Sequence, residues 1–459
     1  MSGMDNNINV SKASIVVLSL IIILGVVIGK VVDVGQVLPL IFILFLLSSL
    51  SFAFFKIRVS KKDRKILSNI FILGLLIRLT LAVVFGSGTF AEDDLEYQLV
   101  GWKIARLWET GIDFAQDSFI GGNPYTIYNG FIYHIFGYVP LLPRVINCFV
   151  GSFIAIYIFF IANHLFNRKV AILAALFTEF FPSLILWSTL NLRDTLVTFA
   201  LVLLIWELIM LQANFKIRRL VPLVLALIVL KFLRGYLLIL IYLIVVIGVF
   251  ILGIMIPKQR NLFRTLVVLG IMLFLGMGFM YQKWGLDQRT LELISFEQSF
   301  KQLSWLREQT AEGGSAFYGD IDISTPWKAL KFLPIAITYF LFAPFPWDIR
   351  SGLGIITLPE MLIWYFLFLK IIAGTRFVIK NKLCESLFIL VYLVITTTAF
   401  ALILGNIGTA YRFRAMVLPF FLILSAVGMV EAKTGQAKPA FEEVKKKPYQ
   451  PDTLVRLVQ

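Results

Sequence analysis

Apolar runs of about 20 residues recur from residue 13 to residue 430, and this repetition limits the possible folds more than any other feature of the chain. A helix of roughly 20 residues crosses the hydrocarbon core of a bilayer, which is about 30 Å thick. No soluble core absorbs so many such segments. Of the 459 residues, 59% are hydrophobic and only 15% charged, whereas soluble domains carry about 25% charged residues. Mean hydropathy is +0.88. The bilayer is therefore expected to be the solvent for most of the protein.

Leu, Ile, Val and Phe dominate these segments, and the alternating ten-residue strands of a barrel are absent, so helices must satisfy the backbone. The expected fold class is all-α, a polytopic transmembrane bundle of about 12–13 helices with two long external loops. The run 13–29 lacks a small-residue cleavage site after it, and a second run follows at once, so it reads as a retained helix. Cys148 and Cys384 lie in, or at the end of, apolar runs far apart in sequence and suggest neither a disulfide framework nor a metal site. The net charge of +15, from 42 basic and 27 acidic residues, fits the positive-inside bias of membrane proteins better than nucleic-acid binding.

That bias sets the expected topology. The densest short basic loop contains Lys56, Arg58, Lys61, Lys62, Arg64 and Lys65 and should be cytoplasmic. Residues 87–124 then form an external loop. Basic connections at Arg168-Lys169, at Lys216 to Arg219 and at Lys258 to Arg260 follow after every second span. The polar stretch within 282–328 falls outside again. If about thirteen runs all crossed, the Lys380 to Lys382 loop and the tail would be external, against the charge rule. One run is therefore expected not to cross fully, and 332–347, interrupted by Pro334, Pro344 and Pro346, is the candidate for a re-entrant or interfacial piece. The chain divides into an N-terminal hairpin (1–56), a main transmembrane region (57–430) and a flexible, basic cytoplasmic tail (431–459).

Most of the polar chemistry is external. Glu92, Asp93, Asp94 and Glu96 lie within five residues, just where a span ends. Leu95, Leu99, Trp102, Ile104, Ala105 and Trp108 then give the imperfect apolar face of a helix lying at the interface. A carboxylate held at headgroup depth can serve as general base toward an acceptor hydroxyl. Two plainer readings stand beside this one. The acids can cap the helix, where they complement its dipole, or they can hold Mg²⁺ or Mn²⁺.

Charges within apolar runs cost about 2.5–3.5 kcal/mol each at the bilayer centre on insertion scales. Arg78, Arg144, Glu179, Lys231, Arg234, Glu360, Arg412 and Arg414 therefore need a reason. Snorkelling at external helix ends accounts for Arg144, Lys231 and Arg234, and pairing inside the bundle accounts for Glu179 and Glu360. Asp194 reads as the N-cap of the helix that runs to Leu211. Arg412 and Arg414 follow a short external connection, where positive charge is disfavoured; they either snorkel or hold an anion through the guanidinium fork.

The order of these features resembles the GT-C class of membrane glycosyltransferases, specifically the family 39 type that includes protein mannosyltransferases and lipid A aminoarabinose transferase. An outward span with Arg78 is followed by Asp93-Asp94-Leu95-Glu96-Tyr97, where that family has an Asp-Glu pair with Tyr three residues on. Asn123-Pro124-Tyr125 stands where the family often has His-Pro-Pro. The pattern continues through Ile135-Phe136-Gly137, Pro143-Arg144-Val145-Ile146-Asn147, Pro182, Ser188 and Leu192-Arg193-Asp194. It closes on Tyr411-Arg412-Phe413-Arg414 with Pro419. It covers roughly 66–430 and departs from the family at Asp94, which replaces Glu, and at the missing His.

The resemblance implies an inverting transfer of a sugar from a polyprenyl-phosphate carrier to a glycan, lipid or protein acceptor. The active site would lie on the external face of what is expected to be a bacterial plasma membrane. Asp93 would be the catalytic base, with Asp94 and Asp194 as further acids. Tyr97, Arg193, Lys231, Arg234, Arg412 and Arg414 would bind substrate. Expected partners are the lipid-linked donor, the acceptor and membrane lipids, without nucleic acid. No cofactor is certain from the sequence, and a divalent metal stays an open alternative but is not expected. The rival readings are a polysaccharide polymerase or ligase, a flippase or transporter of lipid-linked sugars, and a non-catalytic assembly subunit.

Overall fold

The computed structural model describes residues 34–110, 123–255, 270, 296–311, 315–348, 355 and 357–431. The first apolar run, the tail, the Lys258 loop and parts of both external loops lie outside the described residues. The described part is all-α. Its sixteen helices are α1 (Val34–Arg58), α2 (Lys61–Val84), α3 (Glu92–Thr110), α4 (Pro124–Phe136), α5 (Leu141–Leu165), α6 (Arg168–Phe180), α7 (Pro182–Thr189), α8 (Asp194–Ala213), α9 (Leu220–Arg234), α10 (Leu237–Met255), α11 (Phe296–Thr310), α12 (Pro326–Phe342), α13 (Leu358–Asn381), α14 (Leu387–Ile403), α15 (Ile407–Arg414) and α16 (Leu418–Val430).

Several starts follow from local chemistry. The Ser60 hydroxyl oxygen accepts from Asp63 N–H at 3.2 Å and its O–H donates to the Asp63 carboxylate at 2.7 Å, so Ser60 caps α2. Asn123 caps α4 with Pro124 in the first turn. Asn167 caps α6, and Asn406 caps α15 through Thr409 N–H. Each of these caps satisfies a backbone donor that the first helical turn leaves free.

Among the described residues, five helices (α1, α2, α5, α8 and α13) are long and apolar enough to cross a membrane. Two bent pairs raise the number to seven: α6 with α7, bent by 52°, and α15 with α16, bent by 63°. Part of α10 (Leu237–Gly253) and α14 are apolar but shorter. The chain is an integral membrane protein. The expected count of 12–13 is not reached among the described residues, and the first apolar run and most of the run after Lys258 lie outside them. α12, with Pro334 inside it, is not among the spanning helices. Its Tyr339 ring stacks on Phe317 at 4.7 Å and its Phe332 meets Tyr318, so it packs along the outer segment 315–318.

α5 is the hub, with 72% of its most apolar window buried in the bundle, whereas α1 has 17% buried and lies at the periphery. The bend between α6 and α7 is braced by Arg78 of α2, which donates to Glu179 at 2.6 Å and to Ser188 at 2.9 Å, on either side of the break. A charge inside a span is thus paired where the helix is interrupted. α13 and α16 approach through glycines: a Cβ on Gly374 would sit 1.9 Å from the Leu424 carbonyl, and one on Gly428 would sit 2.0 Å from that of Lys370. Without a hydrophobic drive between helices in lipid, such close backbone contact supplies much of the association.

The basic connections gather at one end of the bundle. Arg168 pairs with Asp63 at 2.5 Å, Asn167 donates to Glu431, and Gln212 donates to the Cys384 carbonyl at 2.8 Å. The opposite end carries the loop acids and the segment 315–317, where Phe317 N–H donates to the Gly405 carbonyl at 2.8 Å.

Two outcomes are expected from this arrangement. With Cys148 and Cys384 replaced, Ala316→Cys should react with an impermeant thiol reagent added to intact cells and Lys62→Cys should not; the reverse pattern would invert the bundle. Gly374→Ala or Gly428→Ala should lower thermal stability in nanodiscs by about 1–3 kcal/mol, the range for overpacking, and wild-type stability would show that α13 and α16 do not depend on this contact.

Candidate functional site

At the end away from the basic loops, four helices far apart in sequence meet through charge. α8 begins at Asp194, which lies in the first turn rather than at the cap; the cap position is Arg193, and it makes no side-chain capping bond. The expected N-cap role of Asp194 is therefore wrong. Its carboxylate, 1% exposed, is instead held between two guanidinium groups. Arg234, at the end of α9, donates to Oδ1. Arg412 of α15 donates to Oδ2 from Nε at 2.7 Å and pairs with it through Nη2 at 2.6 Å. A carboxylate buried among apolar helices is tolerated only when paired in this way.

Arg412 extends the chain to α3, where its Nη1 donates to Asp93 Oδ2 at 2.7 Å. The Asp93 side chain is 43% exposed. Its neighbour Asp94 is 0% exposed, since successive helical residues point about 100° apart. Arg144 donates to Asp94 at 2.6 Å and Asn191 N–H donates to its other oxygen at 3.1 Å. Arg144 also donates to the Phe85 carbonyl at 2.6 Å and to Ser87 at 2.9 Å. Asp94 thus clamps the first turn of α3, buried and held by Arg144 rather than presented at the surface as Asp93 is. Glu92, Asp93 and Asp94 lie in the first turn of α3, as the helix-cap reading expects, and Asp93 and Asp94 also pair with different arginines. Among the described residues, no three His, Cys, Asp or Glu side chains converge.

Snorkelling fails as the account of Arg144 and Arg234, because both are buried and ion-paired. Arg234 also lies over the Phe413 ring at 4.1 Å and donates to the Tyr236 hydroxyl at 2.8 Å. Lys231 is half-buried one turn before it. Arg193 reaches the Leu233 carbonyl at 3.1 Å and Asn123 at 3.4 Å. Tyr97 is buried against the Tyr125 ring, and burial pushes its hydroxyl above the usual tyrosine range. Arg414, expected as an alternative anion ligand, points elsewhere: it is buried and donates to the Phe340 and Ala343 carbonyls at the end of α12. The structure therefore brings together Asp93, Asp194, Arg234 and Arg412, with Arg193 and Tyr97 close by, and leaves Arg414 outside.

A cavity of about 740 Å³ opens beside this cluster. Its lining includes the apolar side chains of Leu81, Phe85, Phe90, Ile185, Leu186 and Trp187. It also includes the polar groups Glu92, Asp93, Glu360, Asn406, Tyr411 and Arg412. Tyr411 donates to Glu360 at 2.7 Å. Such a volume suits a small ligand, and the mixed lining suits one with an apolar body and a polar head.

Sequence reasoning missed the neutral residues that shape the site. Asn147 donates to the Leu190 and Leu192 carbonyls at 2.8 and 2.9 Å. Tyr125 donates to Asn191 at 3.0 Å, and Asn191 donates to Asn129 at 2.9 Å. This web fixes the turn that presents Asp194. In the sequence, Tyr125 and Asn147 appear within motifs without an assigned role, and Asn129 and Asn191 carry no signal of their own. Arg307 was missed as well. It donates to the Leu404 carbonyl at 2.9 Å and to that of Phe317 at 3.1 Å, and burial pushes its guanidinium down to about 10. It ties the second external loop to the end of α14.

No protein-family model and no curated protein matches this sequence.

The Asp94–Arg144 pair should act in folding. Arg144→Met leaves a buried carboxylate without its counter-charge and is expected to cost about 3–5 kcal/mol. Asp94→Asn combined with Arg144→Met should be less damaging than the two single effects added, as read by unfolding in detergent. Additive losses would show that the two side chains are not coupled.

Proposed function

We propose that this chain is a membrane glycosyltransferase that moves a sugar from a polyprenyl-phosphate carrier to an acceptor at the end of the bundle away from the basic loops, which the positive-inside rule makes the external face. The observation that carries this reading is one cavity lined by many apolar side chains together with Asp93 and Arg412, which are 2.7 Å apart. An isoprenoid chain matches the apolar lining. A phosphate matches Arg412, whose Nη1 is held only by the partly exposed Asp93 and can donate to such an oxygen.

In this mechanism Asp93, half-exposed at the cavity wall, takes the proton of the acceptor hydroxyl as its oxygen attacks the anomeric carbon. The bond from that carbon to the phosphate oxygen breaks on the opposite side, which inverts the configuration. Negative charge grows on the leaving phosphate, and Arg412, backed by the Asp194–Arg234 pair, stands where it can be stabilised. Arg193 and Tyr97 lie near the same cluster but are not among the residues that line the cavity. The acceptor can be an envelope polysaccharide, a glycolipid or a protein.

A flippase or transporter of lipid-linked sugars is the second reading. The bent pairs α6–α7 and α15–α16 favour it, because transporters place substrate sites at broken helices. Transfer is preferred because the charged cluster lies at one end of the bundle, beside the cavity, rather than at its midplane.

Asp93→Asn should fold and lose about 10²- to 10⁴-fold in transfer rate, the usual contribution of a general base. Arg412→Lys, which keeps the charge and loses the fork, should impair both transfer and binding of polyprenyl phosphate. Both are measured with purified protein and candidate polyprenyl-phosphate sugars. Wild-type turnover by Asp93→Asn would remove it as the base, and vesicle transport without any donor cleavage would favour the second reading.

A further inference from the structure

Arg412 holds its two carboxylates unequally. It pairs with one oxygen of Asp194 through both Nε and Nη2, at 2.7 and 2.6 Å, and that carboxylate is buried and shared with Arg234. It spends only Nη1 on Asp93, at 2.7 Å, and the Asp93 side chain is 43% exposed at the cavity wall. The first attachment is rooted, because breaking it would leave buried charge uncompensated. The second is a partly exposed ion pair, a class that contributes little and exchanges readily. Asp93 and Arg412 both line the cavity, so an anion entering there meets the one guanidinium N–H whose partner can be displaced.

We propose that Arg412 exchanges partners: the anionic head of the donor lipid takes Nη1 from Asp93 while Asp194 keeps hold of Nε and Nη2. This rests on the glycosyl-transfer reading above and adds an order of events to it. Before the donor arrives, Oδ2 of Asp93 is held by Arg412, which turns the carboxylate to the guanidinium rather than to an acceptor. Once phosphate occupies Nη1, that oxygen is released, and repulsion from the phosphate turns it toward the acceptor. The acceptor O–H proton then passes to Asp93 and the acceptor oxygen bonds to the anomeric carbon. The bond from that carbon to the phosphate oxygen breaks with its electron pair, and the added negative charge falls beside Arg412. The donor must therefore bind before the acceptor is activated.

The exchange is read by binding, without turnover. Farnesyl phosphate and farnesol serve as probes of the full-length protein in nanodiscs. If phosphate competes with Asp93 for Arg412, Asp93→Asn should bind farnesyl phosphate roughly 1.5- to fivefold more tightly than the parent, the range of a partly exposed ion pair. Farnesol binding should not change. Removing any nearby negative charge helps an anion bind, so Glu92→Gln, at the same cavity wall, measures that general effect and should gain less. Placing Asp93→Asn in an Arg412→Gln background should remove the difference between the two gains. Equal gains from Asp93→Asn and Glu92→Gln, or no gain from Asp93→Asn, would overturn the exchange and leave phosphate recognition by Arg412 standing. A parent protein that binds farnesyl phosphate no better than farnesol would overturn both.

Discussion

One carboxylate organises the polar end of this bundle. Asp194 is buried, and it persists as a charged group only because Arg234 and Arg412 converge on its two oxygens. The three residues start α8, end α9 and lie near the end of α15, so the pairing fixes the relative height of three helices. Through Arg412 it also reaches the first turn of α3. Deleting one guanidinium would leave a buried negative charge short of a partner, and deleting the carboxylate would leave two cations facing each other.

The turn before Asp194 is held by uncharged groups. Asn147, Asn191, Asn129 and Tyr125 bond to one another and to the Leu190 and Leu192 carbonyls. In hydrocarbon an irregular stretch of backbone needs such partners, since water cannot supply them. The turn follows the bend between α6 and α7, so the chain gives up regular helix here and recovers its hydrogen bonds from side chains. Asp94 completes the arrangement: Arg144 anchors it, and it in turn accepts Asn191 N–H. That anchorage leaves Asp93, with Glu92, lining the cavity.

The two ends of the bundle differ in chemistry. Basic loops gather at one end, and a cavity lined by both apolar and polar side chains opens at the other. An amphiphilic substrate would place its tail against Phe85, Phe90 and Trp187 and its head against Arg412. The proposed transfer uses this division, because a lipid phosphate can remain in the membrane plane while the sugar meets an acceptor from water. Glu360 and Tyr411 add a second polar pair on the same cavity, beside the arginine that the proposal places at the phosphate.

The sequence alone determined the solvent of this protein, its all-helical class and the segregation of its basic loops, because run length and charge bias act locally along the chain. It also marked Asp93, Asp194, Arg234 and Arg412 as charges that needed a reason. What it could not supply was the reason. Arg412 is 319 residues from Asp93 and 218 from Asp194, and no local pattern encodes a pairing across that distance. Asp93 and Asp94 look alike in sequence, yet the orientation of one helix buries the second and exposes the first. Arg412 and Arg414 look alike too, and a two-residue step around α15 turns one to the cavity and the other to the carbonyls that end α12. Which run was a whole span and which half of a broken one was likewise settled only by bends at Phe181 and after Arg414. The tertiary structure decided these points because burial and partner choice depend on which helices pack together.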